Sequence, residues 1–310
     1  MFNRLSNFIY NSSLTSNPWT NVYGLARTII ALSTLITLLV NDIYTFFRPL
    51  AGVSEYPNCS VYSISIFCMA PQNYLPLIKW IVIILIAVIA SGWRPRYTGL
   101  IHWWIATSLQ NTGASLDGGE EVAAAITFLL IPITLLDNRK WHWQKKQYNN
   151  SILEVNCRII SNVFLYGIKA QMSIIYFNAA IVRLKNPEWI DGTAIYYYFN
   201  NPMLGLNETL LTLLNPILTS PAVFFVTWAT TIVEIILGAA ILAPIKYYKI
   251  YFYIGVVLHM GIATLLGLYS FSAIMIAGLI LSFQSTENEY HLFRKVINKI
   301  SEKNVKTKSA

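Results

Sequence analysis

The feature that most constrains this chain is a succession of long apolar runs, the first from Val22 to Val40, which recur as far as Gln284 with only short polar stretches between them. A helix needs about 20 apolar residues to cross a bilayer. In lipid every backbone amide must find an internal partner, which leaves helices or closed barrels as the spanning structures. Barrel strands alternate apolar with polar residues, and these runs do not. The fold class read from the sequence is therefore all-α, a polytopic helical membrane protein. Composition agrees: 12% of the 310 residues are charged, about half the roughly 25% of a soluble domain.

The runs place spans at 22–40, 75–91, 95–109, 121–136, 159–181, 222–243, 250–267 and 270–284, eight in all. The third and the last are short enough to be re-entrant or buried helices instead. This divides the chain into an interfacial N-terminal segment 1–21, a multi-span membrane domain 22–284 and a basic tail 285–310. Of the Lys and Arg residues, only Arg48, Lys79, Arg183 and Lys185 fall on one side, Arg27 and Lys169 fall within spans, and the other sixteen fall opposite. The positive-inside rule then puts both termini in the cytoplasm and the protein in the plasma membrane. It also assigns the net charge of +8 to topology and the lipid surface, not to nucleic acid. The first run lacks a small-residue cleavage pattern and reads as a span, not a cleaved signal. Asn17-Pro18-Trp19 supplies a turn former, a helix-start proline and an interfacial aromatic before it. Phe2, Leu5, Phe8 and Ile9 share one helical face, as do Leu206, Leu210, Leu213 and Leu214, and both stretches are read as resting in the interface.

Three unusual segments fall on the non-cytoplasmic side: the loop holding Cys59 and Cys68, the turn Asp117-Gly118-Gly119-Glu120-Glu121, and the stretch from Arg183 to Pro202. In an oxidising compartment Cys59 and Cys68 are expected to form a disulfide that closes a small loop. The alternative, a redox-active pair, more often has the C-x-x-C spacing that lowers one thiol pKa. Cys157 reads as a free cytoplasmic thiol. The acidic turn has two readings: glycines in conformations that other residues avoid, with acids at the positive end of the fourth helix, or carboxylates that receive a cation, a proton or a basic peptide.

Ionisable groups within spans cost several kcal/mol unless paired or hydrated, so Arg27, Lys169, Glu234, His102 and His259 are functional candidates by default. The alternative is a structural network, in which Arg27 or Lys169 would pair with Glu234. The histidines lack a close partner such as H-E-x-x-H, so no metal site is assigned, and no cofactor is assigned.

In Pro18-Trp19-Thr20-Asn21-Val22-Tyr23-Gly24-Leu25-Ala26-Arg27, the Cys59/Cys68 loop, Asp117-Gly118-Gly119-Glu120, and Ile131-Pro132-Ile133-Thr134-Leu135 leading to Arg139-Lys140-Trp141-His142-Trp143, the chain resembles the sporulation-delaying protein B family over nearly its whole length. Tyr176-Phe177-Asn178-Ala179-Ala180-Ile181-Val182-Arg183-Leu184 and Glu188-Trp189-Ile190-Asp191-Gly192 resemble a wider HTTM-like group of membrane domains that includes the vitamin K-dependent gamma-carboxylases. The first resemblance implies action beside an A-like partner in maturing a C-like precursor into a secreted antimicrobial peptide toxin. The second implies an HTTM-like bundle with an outer-face site. In the carboxylases a lysine ending the Y-F-x-A-G stretch acts as base, and the matching position here is Arg183. Arginine stays protonated, so glutamate carboxylation is not expected, and Arg183 is better suited to gripping a carboxylate or phosphate.

Arg183, Asp117, Glu120, His102 and His259 are thus the candidates for any chemistry. Arg27, Asp117, Glu120, Arg183, Trp189, Asp191 and Glu234 are the candidates for substrate binding. Asp117, Glu120 and Arg183 are expected around one outward-opening cavity. Whether the protein is an enzyme is left open, and G-x-S-x-G and H-E-x-x-H are both absent. A non-enzymatic scaffold or export helper for the toxin is the alternative. A small-molecule transporter is a third reading, resting on Arg27, Lys169 and Glu234.

Overall fold

The computed structural model describes residues 16–48, 57–59, 63–114, 116–146, 151–202 and 205–284, with 7, 10, 11, 13 and 14 ahead of them. The expectations for the face formed by Phe2, Leu5, Phe8 and Ile9 and for the basic tail 285–310 lie outside the described residues.

Each apolar run is a helix, and among the described residues there is no strand. In chain order the α-helices are α1 (Asn21–Val40), α2 (Ile43–Phe46), α3 (Leu75–Ser91), α4 (Pro95–Thr112), α5 (Gly119–Leu135), α6 (Ile152–Arg183), α7 (Pro187–Ile190), α8 (Ala194–Phe199), α9 (Glu208–Leu218), α10 (Ala222–Ala239), α11 (Tyr248–Leu266) and α12 (Tyr269–Phe283). Four helical stretches, Asn21–Val40, Gln72–Ser91, Ala222–Leu242 and Ile245–Leu266, are long and apolar enough to cross a membrane. The ends follow local chemistry: Pro76 and Pro95 open α3 and α4, and Gly92 closes α3 in the left-handed region.

A helix that is apolar on every side belongs in the interior, and α12 shows it. Although only 15 residues long, it is buried almost continuously from Ile274 to Phe283 and packs against α1, α5, α6 and α11. Ile126, Ile168, Met172, Ala277 and Leu279 form the centre of this core. A second cluster joins α1, α3 and α4 through Leu38, Val82, Ile86, Ile105 and Leu109. A third lies beneath the short helices α7–α9, where Trp189, Ile195, Phe199 and Leu218 pack against Val223 and the end of α11 at Leu265 and Leu266. These short helices form a cap on that end of the bundle.

Trp19 is fully buried instead of interfacial: its indole N–H donates to the Ile133 carbonyl at 2.9 Å, and the Lys146 ammonium lies 3.3 Å from its ring centroid. The loop after α5 folds over it, which no property of Trp19 itself announces. Helix α6 begins at Ile152 instead of near 159, because Ser151 caps it and buried Arg158 donates to the Leu14 carbonyl at 3.1 Å. Glu154, Asn156 and Arg158 interrupt the first two turns, which thus escape a criterion that seeks an unbroken apolar run.

The three unusual segments collect at one end of the bundle. The Ala114 amide donates to the Phe46 carbonyl at 2.7 Å, Ser65 and Thr112 meet at 3.2 Å, and the cap packs on the end of α11. A disulfide joins Cys59 to Cys68, their Cα atoms 5.5 Å apart, and Cys157 is a free thiol. The opposite end holds the basic loop: the Arg94 amide donates to the Lys140 carbonyl at 2.8 Å, and Arg96 Nε to the Leu135 carbonyl at 2.9 Å.

Candidate functional site

At the basic end, Arg27 is buried with 1% of its surface exposed, and its guanidinium donates to Thr98 Oγ1 at 2.6 Å and approaches His142 Nδ1 at 3.5 Å. The other ring nitrogen of His142 lies 3.2 Å from Thr28 Oγ1. Gly24 and Gly92 flank this imidazole: a Cβ on Gly92 would collide with the ring, and one on Gly24 would press against it at 3.0 Å. Burial, followed by the nearby charges of Arg27 and Arg139, holds the His142 pKa well below the usual histidine range, so the ring is neutral. Arg139 grips buried Asp137 through two hydrogen bonds of 2.8 and 2.7 Å. Lys146 meets Glu154 at 3.1 Å, and burial lowers its pKa against the pull of that carboxylate. The arrangement is a buried clamp tying α1, α3 and α4 to the loop after α5. His102 sits one turn along α4 from Thr98, buried, its Nε2 without a hydrogen-bond partner.

The opposite end carries an open cleft of about 730 Å³ between α1, the start of α5 and the start of α12, within the size range of ligand pockets. Its acidic turn has a definite construction. Gly118 takes φ +80°, and Gly119 lets the α12 backbone come close, since a Cβ there would lie 2.8 Å from Phe271 Cα. One Asp117 oxygen then accepts from the Gly119 amide and the other from the Phe271 amide, each at 2.9 Å. Asp117 therefore joins two helix starts. Glu120, one turn on, has 1% of its surface exposed and lines the cleft. Neither of its oxygens meets a donor in hydrogen-bonding geometry, and Ser270 is the neighbouring hydroxyl. Ser270 and Ser33 meet at 2.9 Å across α12 and α1.

Arg183 does not line this cleft, which corrects the expectation of a single cavity. It is ion-paired to Glu234 at 2.7 Å and lies 4.2 Å from the Trp189 ring centroid. The expected pairing of Glu234 with Arg27 or Lys169 is also corrected. Arg183, at the end of α6, reaches Glu234 on α10, while Arg27 is engaged at the other end of the bundle and Lys169 lies 5.1 Å from the rings of Tyr166 and Tyr248. Tyr176, two turns before Arg183, meets His259 Nε2 through its hydroxyl at 2.9 Å, and His259 packs edge-on against Phe271. Asp191 accepts from the Thr193 amide at 3.0 Å and its hydroxyl at 2.6 Å, so it closes the turn between α7 and α8.

The candidates thus separate: Arg27 with His102 at the basic end; Asp117 with Glu120 at the cleft; Arg183 with Glu234 and Trp189; His259 with Tyr176 and Phe271; and Asp191 in the turn of the cap. Sequence reasoning did not give roles to His142, Ser33, Ser270 or Tyr176. His142 and Tyr176 stand within the motif stretches that carried the resemblance, which was a usable signal. Among the described residues no group of three His, Cys, Asp or Glu side chains is placed to hold a metal ion.

The chain is 43% identical over 267 residues to the uncharacterized protein YitO of Bacillus subtilis (strain 168), covering 86% of this chain and 85% of that one. It is 40% identical over 269 residues to the sporulation-delaying protein SdpB of the same organism, covering 86% of this chain and 82% of that protein. No protein-family profile matches the chain, and no solved structure matches it.

Proposed function

Because the chain belongs to the SdpB family of sporulation-delaying proteins, we propose that it is a multi-pass membrane factor that helps to mature a secreted antimicrobial peptide, acting with an A-like partner on a C-like precursor at the outer face. The observation that carries this reading is the cleft with Glu120 at its wall. A buried carboxylate whose neighbouring donor is the single Ser270 hydroxyl, and which faces no cation in the cleft lining, is costly to maintain in a folded protein, and its cost is recovered when a ligand brings a further donor or a cation. The cleft is also large enough for a stretch of peptide. In this reading Asp117 positions the wall through its two backbone bonds, and Glu120 meets the ligand. Arg183 holds Glu234 and the cap ring of Trp189, so its contribution is to the shape of that end.

The test is co-expression with the A-like and precursor partners, followed by mass spectrometry of the secreted peptide. Glu120→Gln preserves shape and removes charge, and is expected to lower mature peptide at least tenfold at unchanged membrane abundance. Asp117→Asn loses one of two backbone acceptors and is expected to lower abundance as well as output. Undiminished mature peptide in the absence of this chain would refute the maturation role.

A further inference from the structure

Along the α1 wall of the cleft, Ser33, Thr37 and Asn41 recur at a spacing of four and therefore share one face. Ser33 is 6% exposed and the other two are partly buried, so a polar track runs down a membrane helix from the mouth to the level of Glu120. Beside it Leu32, Ile36 and Val40 line the same cleft and are 40%, 56% and 73% exposed, an apolar flank open on the lipid-facing side. The lining includes Asp117 and Glu120 and no lysine or arginine. Lys79, beside the mouth, is turned to the backbone, donating to the Asn41 carbonyl at 2.7 Å.

We infer that this cleft holds an extended peptide segment, its backbone along Ser33, Thr37 and Asn41 and one basic side chain directed at Glu120. The inference rests on the maturation reading and names the part of the precursor that the cleft takes. Two observations favour a peptide over a lipid. An acyl chain gains nothing from a row of hydroxyl and amide groups, whereas a peptide must satisfy an N–H and a C=O at each residue once it leaves water. A basic side chain has an apolar stem that suits the Leu32, Ile36 and Val40 flank and a charged end that suits a buried carboxylate.

Photo-crosslinking in intact membranes tests it. A benzophenone amino acid replaces Ile36 in the full chain, or Val257 on the exposed face of α11 as a control, with the precursor and its A-like partner co-expressed. The expected result is a precursor adduct at position 36 and none at 257. Adduct should fall at least fivefold with Glu120→Gln, and equally when one particular basic residue of the precursor is changed to Gln in a one-at-a-time scan. The scan leaves this chain unaltered, so a folding defect cannot imitate the result. Adducts with lipid alone, or a precursor adduct that no basic-to-Gln change and no Glu120→Gln change reduces, would overturn the inference. If secreted mature peptide still depended on this chain in that experiment, the maturation reading would survive the loss.

Discussion

Arg183 serves two unlike partners at once, a carboxylate on α10 and an indole in the cap. Its side chain is 22% exposed and that of Glu234 is 6% exposed, so the pair is only thinly screened by solvent. Removing one partner from such a pair leaves the other charge buried and alone, whereas removing both leaves neither. Arg183→Gln is therefore expected to destabilise the protein by about 3 kcal/mol, with Glu234→Gln added to it restoring most of that loss. Thermal unfolding of the two single variants and the double variant in one detergent measures this, and strictly additive losses would show that the ion pair carries no coupling. The carboxylate that this arginine was expected to grip thus belongs to the protein itself. Spacing could not reveal it, since the two residues stand far apart in sequence and nothing about an isolated glutamate says which cation will reach it. Glu120 was legible for the opposite reason: an acid at the start of an apolar run stands out against its neighbours. Its opening onto a cleft was not legible, because Ser33 and Ser270 look like any serine within a membrane helix.

The long helices other than α6 could be read to within a few residues at each end, since backbone pairing in lipid forces each long apolar run into one conformation. Leu75–Ser91 matches the expected 75–91 at both ends, where Pro76 and Gly92 punctuate the chain. What stayed hidden was how the helices meet. Gly92 shows the difference between a local and a tertiary constraint. Gly92 and Gly118 both take positive φ, at +85° and +80°, but a Cβ at Gly92 would run into the His142 ring while one at Gly118 would have open space around it. Alanine at either site should cost about 1–2 kcal/mol for the left-handed backbone, and Gly92→Ala should cost clearly more than Gly118→Ala because His142 must also move. Comparison of their unfolding midpoints decides this, and equal losses would mean that the clamp around His142 yields without resistance.

Seen whole, the molecule separates its charges. The basic loop after α5 closes one end, while the acidic cleft, the disulfide loop and the cap occupy the other. We propose that the first end is cytoplasmic and that, besides the four helices long and apolar enough to cross, α4, α5, α6 and α12 also cross, on the distribution of Lys and Arg. Thiol labelling of intact cells with an impermeant reagent should modify a cysteine introduced at Glu188 and spare one at Lys145, in a background lacking Cys157. The reverse pattern would invert the topology. The central position of α12 also has a meaning in time. It is the last of the described helices to leave the ribosome, yet it supplies the middle of the core and, through Tyr269, Ser270 and Ala273, one wall of the cleft. Until it is made, α1 and α11 lack their principal neighbour and α5 and α6 lack part of their packing. A nascent chain therefore has no finished cleft until α12 has been made, and under the proposed function half-built copies would have no surface on which to sequester precursor.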